Sequence, residues 1–70
     1  MKAYHTRAPY YFASKHILPA GSVVFFSEKL RRYVHPTDGV LYDLHPRLRP
    51  LSEAESHALQ EQWSDALLSY

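Results

Sequence analysis

The stretch Ser52–Tyr70, SEAESHALQEQWSDALLSY, decides how the rest of the chain is read. Ser52-Glu53-Ala54-Glu55 has the form of a capping box, in which Ser52 accepts from the Glu55 backbone N–H while the Glu55 carboxylate reaches back. Pro50 disfavours helix at the residue before it, and Glu53 and Glu55 lie in the first turn, where the helix dipole favours negative charge. From Leu59 onward, Trp63, Ala66, Leu67 and Tyr70 recur at helical spacing on one side, with His57, Glu61, Ser64 and Asp65 turned away. The pattern predicts one amphipathic helix over residues 52–69 that lays an apolar stripe on whatever precedes it. Leu68 points off the stripe.

What precedes it reads as strand. Val40-Leu41-Tyr42-Asp43-Leu44 alternates, which puts Val40, Tyr42 and Leu44 on one face. Leu30 to His35 is a second β-compatible run, and Pro36-Thr37-Asp38-Gly39 between them has the residues of a tight turn. A hairpin from about Arg31 to Leu44 follows. Val23-Val24-Phe25-Phe26, the longest apolar run, is expected to be the most buried strand, entered through the turn Leu18-Pro19-Ala20-Gly21-Ser22. The aromatic stretch Pro9 to Leu18 has both strand composition and a helical spacing of Tyr10, Ala13 and Ile17. A strand paired with Val23–Ser27 is favoured. His45 to Leu51 carries two prolines and reads as an extended connection, and Met1 to Arg7 as a loose terminus.

The chain is therefore expected to be one domain, residues 1–70, with strands and hairpins over about 10–44 and an extended linker over 45–51. The fold class is α+β: a small antiparallel sheet of three or four strands packed by one C-terminal helix. The order of turn-punctuated short strands followed by a terminal helix resembles small SH3-like barrels, a likeness of fold that implies no function.

Size and composition limit function. Seventy residues without cysteine bury a modest core and exclude disulfides, which leaves six Tyr, three Phe and Trp63 to supply it. No run is long enough for a membrane-spanning helix and the N-terminus lacks a signal-peptide core, so a cytoplasmic protein with no membrane association is expected. Residues 1–50 hold all eight Lys and Arg against Glu28, Asp38 and Asp43, a net of +5, whereas residues 51–70 hold four acids and no Lys or Arg. Internal neutralisation, acidic helix against basic strands, is the expected use of that asymmetry.

Chemistry is not indicated. The five histidines, at 5, 16, 35, 45 and 57, contain no i, i+4 pair and no cysteine to complete a zinc site, so no metal is expected. No nucleophile motif is present, and Gly21 and Gly39 stand in separate turns rather than in a phosphate loop, so neither an enzyme nor a cofactor is expected. The candidate site is a basic and aromatic patch of Arg31, Arg32, Tyr33, Arg47 and Arg49, brought together if the connection after the hairpin returns past Arg31. Tyr and Arg dominate interface hot spots, so the leading expectation is a protein–protein interaction module that inhibits or masks a partner, the kind of small protein that phages and mobile elements encode. The alternative is a small nucleic-acid-binding regulator that uses the same hairpin patch. Leu68 and Tyr70 are secondary candidates for a partner or homodimer contact.

Overall fold

The computed structural model describes residues 1–12, 16–43 and 46–70. Seven strands and two helices follow in the order β1 (Ala3–Thr6), β2 (Tyr10–Tyr11), β3 (Ile17–Leu18), β4 (Val23–Ser27), β5 (Arg32–His35), β6 (Gly39–Leu41), β7 (Leu48–Pro50), α1 (Glu53–Gln62) and α2 (Ser64–Leu67). Five strands form one antiparallel sheet in the order β6-β5-β4-β1-β7, and β2 pairs with β3 in a separate two-stranded hairpin. The class is α+β, but the expectation of one SH3-like sheet of three or four strands under a single helix does not hold.

The reason lies in β4. Val24 and Phe25 are adjacent, so their side chains leave the sheet on opposite faces, and both are fully buried. The sheet must then be covered twice. On one face Ala3, Phe25 and Val34 pack with Leu51, Leu59, Trp63, Leu67 and Tyr70 from the helical segment. On the other, Val24 and Leu41 pack with Leu18, Tyr10 and Phe12 of the β2–β3 hairpin. β2 and β3 are therefore extended, as expected of this segment, but they fold over the sheet instead of pairing with β4.

The β5–β6 hairpin closes through Pro36–Asp38 with Gly39 at φ +97°, as the turn residues imply. It has no single inner face: Val40 packs on the helix side and Leu41 on the hairpin side. Leu41 is fully buried and Tyr42 is 74% exposed, because with both faces covered the alternation no longer marks a single interior. Leu44, expected on the face of Val40 and Tyr42, and His45 lie outside the described residues, as does Ala13.

Two segments read as irregular are strands. Ala3–Thr6 lies between β4 and β7, with Ala3 opposite Phe25 and His5 opposite both Val23 and Arg49. The extended connection expected over 45–51 contains Leu48–Pro50, which borders β1 as the outer strand. Leu51 N–H donates to the Ala3 carbonyl and Arg7 N–H to the Arg47 carbonyl, so Pro50 stands where a backbone N–H would face away from β1. A proline at the edge costs no ladder bond and discourages further pairing.

The cap at Ser52 forms in full: the Ser52 side chain accepts from the Glu55 N–H and the Glu55 carboxylate accepts from the Ser52 N–H. The helix is interrupted at Trp63, where φ is −109° and ψ 18°, although the Trp63 N–H still donates to the Leu59 carbonyl and the Leu67 N–H to the Trp63 carbonyl. The apolar stripe is thus preserved across two short helices. Ser56 falls on that stripe, 6% exposed, and its hydroxyl accepts from the Ala3 N–H at 3.0 Å. It takes the place that a continued β7 would have filled beside β1. Ser56→Ala should leave a buried donor unpaired and cost about 1–3 kcal/mol in urea unfolding. The exposed Ser64→Ala should cost about 0.5 kcal/mol or less.

Candidate functional sites on opposite faces of the sheet

Register assigns each expected site residue to a face and an end of the sheet. Tyr33 opposes Phe26 and Leu41 and points to the hairpin side, whereas its neighbour Arg32, opposite Ser27, points to the helix side. Arg31 is exposed in the β4–β5 turn at φ +57° and pairs loosely with Glu28 at 3.8 Å. Arg49 lies in β7, three strands from β5, about 14 Å away at about 4.8 Å per strand. Its row contains His5 and Val23, four residues along β4 from Ser27, a further displacement of about 13 Å. Arg31 and Arg32 therefore stand at one corner of the sheet, and Arg47 and Arg49 at the diagonally opposite one. The single patch expected from the sequence is two separate features.

The first is aromatic. On the hairpin side of the sheet, Tyr4 and Tyr33 meet edge to face across β4 at 5.3 Å between ring centroids, and Phe26 meets Tyr33 at 5.0 Å. Such pairs contribute about 0.5–1.5 kcal/mol each beyond their burial. Burial, reinforced by the adjacent Tyr4, raises the Tyr33 phenol pKa above its ordinary value. The Lys2 ammonium lies 5.9 Å from the Tyr4 ring centroid. Beside this half-buried floor stands the β2–β3 hairpin. Its inward pair, Tyr10 and Leu18, packs on the sheet, and its outward pair, Tyr11 opposite Ile17, is 70% and 51% exposed. The Tyr10 hydroxyl accepts from the backbone N–H groups of Tyr42 and Asp43, which anchors the hairpin to the chain leaving β6.

The second feature is basic. His5 opposes Arg49, and the Arg7 N–H donates to the Arg47 carbonyl at 2.8 Å, which continues the same register by one more pair. His5 and Arg49 thus pair on the helix side of the β1–β7 edge, and Arg7 and Arg47 extend the row past the strand ends, where Arg47 also lines a cleft with Tyr10, Leu41 and Asp43. Arg49 donates to His5 Nδ1 at 2.9 Å. Arg7 and Arg47 line an open depression with Pro46 and Leu48. His5 and Arg7 escape sequence reading because the β1 segment, Ala-Tyr-His-Thr, has only weak strand patterning.

The expected neutralisation by the acidic helix involves no direct ion pair to Lys or Arg. Among the described residues no Lys or Arg forms an ion pair with a carboxylate of α1 or α2; the acids there pair at most with His57, which meets Glu61 at 3.2 Å. Glu55 has its pKa lowered first by its hydrogen bonds from Ser52 and only then by Arg49 and His5. Of the secondary candidates, Leu68 is 83% exposed, whereas Tyr70 packs on the helix-side core, and its carbonyl accepts from the Ser27 hydroxyl.

A third cluster ties loops together. His16 Nε2 lies 3.0 Å from Asp38 Oδ2, and His35 Nδ1 accepts from the backbone N–H groups of Thr37 and Asp38 at 3.3 and 3.1 Å. Phe12 stacks on the His16 ring. Among the described residues no group of three His, Cys, Asp or Glu side chains is arranged to hold a metal ion. No helix among them is long and apolar enough to cross a membrane. Comparison with protein-family models, with curated proteins and with solved structures finds no match to this chain.

Burial lowers the His35 pKa, more strongly than the nearby Asp38 carboxylate raises it. The unfolded chain therefore binds the proton more readily than the folded one. The His35 contribution to stability is complete above the unfolded value of about 6.5 and is lost as pH falls through the lower folded value. Urea midpoints measured between pH 7.5 and 5 should fall, and His35→Gln should flatten that part of the curve.

Proposed function

We propose that this protein is a small binding module that masks a protein surface through the hairpin side of its sheet. The observation that supports this reading is the outward pair Tyr11 and Ile17. These two large apolar side chains sit directly opposite each other and are mostly solvated, although the fold has no use for them there. The two-residue strands that carry them are held down by Tyr10, Phe12 and Leu18, so the pair is presented on a fixed support. Beside it, the Tyr4, Phe26 and Tyr33 rings are half-buried and mutually packed, which limits the side-chain entropy lost on binding. Aromatic residues with arginine at the margin make up the energetic centre of many protein interfaces.

The partner that suits this face presents apolar side chains to Tyr11 and Ile17 and carboxylates at the rim. Lys2 supplies positive charge there, and the β4–β5 turn adds Lys29 and Arg31 against the one acid Glu28. Ring-on-ring packing leaves little free aromatic face for base stacking, which favours a protein over a nucleic-acid strand at this surface.

The test pairs binding with stability. Tyr11→Ser with Ile17→Ser should change the unfolding free energy by about 0.5 kcal/mol or less, because both side chains are exposed. Used as bait in nuclease-treated lysate of the cells that make the protein, the wild type should retain a discrete protein partner that the double variant loses. Arg7→Ala with Arg47→Ala should retain it. Equal recovery by wild type and double variant, or no partner surviving nuclease, would overturn the reading.

A further inference from the structure

We infer that the β1–β7 corner is a binding site for the phosphodiester backbone of a nucleic-acid strand, held by Arg7, Arg47 and Arg49 with His5. This site uses none of the side chains assigned to the hairpin surface.

The argument begins with an energetic oddity. Arg7 and Arg47 are cross-strand neighbours, and like charges placed directly opposite one another weaken a sheet. Both side chains are exposed, and no carboxylate among the described residues forms an ion pair with either. Edge strands do use isolated charges to discourage aggregation, but Pro50 already serves that purpose on β7. A row of three arginines exceeds what protection requires. Glu55, at the Ser52 cap, offsets part of the Arg49 and His5 charge, and Asp43 lines the neighbouring cleft with Arg47, so the row sets three guanidinium groups against two carboxylates.

Spacing identifies the ligand class. The hydrogen-bonded pairs at 5–49 and 7–47 have backbones about 5.5 Å apart and repeat at about 7 Å along the strand. A lone phosphate would be satisfied by one arginine pair and would leave the other unused. A chain of regularly repeated anions engages both. Guanidinium groups suit phosphate oxygens because their N–H donors form a planar fork. Among the described residues no strand borders the outer side of β7, and Arg7, Pro46, Arg47 and Leu48 line an open depression, so an extended polymer can pass along the edge. A phosphorylated peptide would offer one such group at a time and is the less suitable occupant.

The experiment is fluorescence anisotropy with a labelled twelve-nucleotide oligo-dT, titrated at several salt concentrations, beside a phosphoserine peptide of similar length. The wild type should bind the oligonucleotide at low salt, with log affinity falling linearly against log salt. Arg7→Ala with Arg47→Ala should weaken it at least tenfold and reduce the slope by about 1.4, since each lost phosphate contact on a single strand removes about 0.7. Arg49→Glu should weaken it further, and Tyr11→Ser with Ile17→Ser should have no effect. Both basic-corner variants alter exposed side chains, and cooperative unfolding would establish that they remain folded. An unchanged slope in the double arginine variant, tighter binding of the phosphopeptide, or no oligonucleotide binding by the wild type would each overturn the inference.

Discussion

One strand sets the terms for the molecule. β4 is apolar on both faces, with Val24 and Phe25 fully buried back to back, and a chain of 70 residues must cover both. The helical segment covers one face and the β2–β3 hairpin the other. Among the described residues no further layer lies on either side. The outer surface of the hairpin and the outer edge of the sheet are consequently left in solvent, and the unexplained side chains are found there. Thr6 holds the arrangement at one end: its hydroxyl donates to the Pro19 carbonyl and accepts from the Ser22 N–H, fixing the turn into β4.

The same two-residue period separates the chemistry. Arg32 and Tyr33 are adjacent in sequence and lie on opposite faces, and the crossing from β6 to β7 carries Arg47 and Arg49 to the far side of β1. Aromatic rings therefore collect where the protein is closest to a flat apolar surface, and guanidinium groups where it has an open edge. A surface of the first kind suits a protein and one of the second kind a polyanion. A domain with both would bring the two together, and its small size would keep the bound partners within a few tens of ångströms of each other.

Parts of the fold are legible in the residues. The Ser52–Glu55 cap, the stripe of Leu59, Trp63, Leu67 and Tyr70, the turn at Gly39 and the centrality of Val23–Ser27 all follow from local chemistry that tertiary structure left intact. The errors share a cause. Alternation separates Val40 from Leu41 but does not say which face is interior, and with two interiors both are covered. β1 was missed because Ala3 and Thr6, its two buried residues, are small or polar, and its place is fixed by partners at 23–25 and 48–50. Ser56 was missed because a serine on an apolar stripe looks like an interruption until the Ala3 N–H that it satisfies is known. The basic patch was misassembled for want of β1: without that strand, nothing in the sequence places two strands between Arg32 and Arg49.

The placement of β1 between β4 and β7 supports both surfaces, and the absence of cysteine from the chain allows it to be measured cleanly. Replacing Arg7 and Arg47 by cysteine creates a cross-strand pair with Cα atoms about 5.5 Å apart, within the range a disulfide accepts. Replacing Arg32 and Arg49 creates a pair at opposite corners, far beyond that range. Under mild oxidation the Arg7→Cys, Arg47→Cys protein should form an intramolecular disulfide, visible as loss of thiol titre in the monomer, and the Arg32→Cys, Arg49→Cys protein should not. The reverse result, closure of the second pair with the first remaining reduced, would contradict the separation of the two arginine groups and the account built on it.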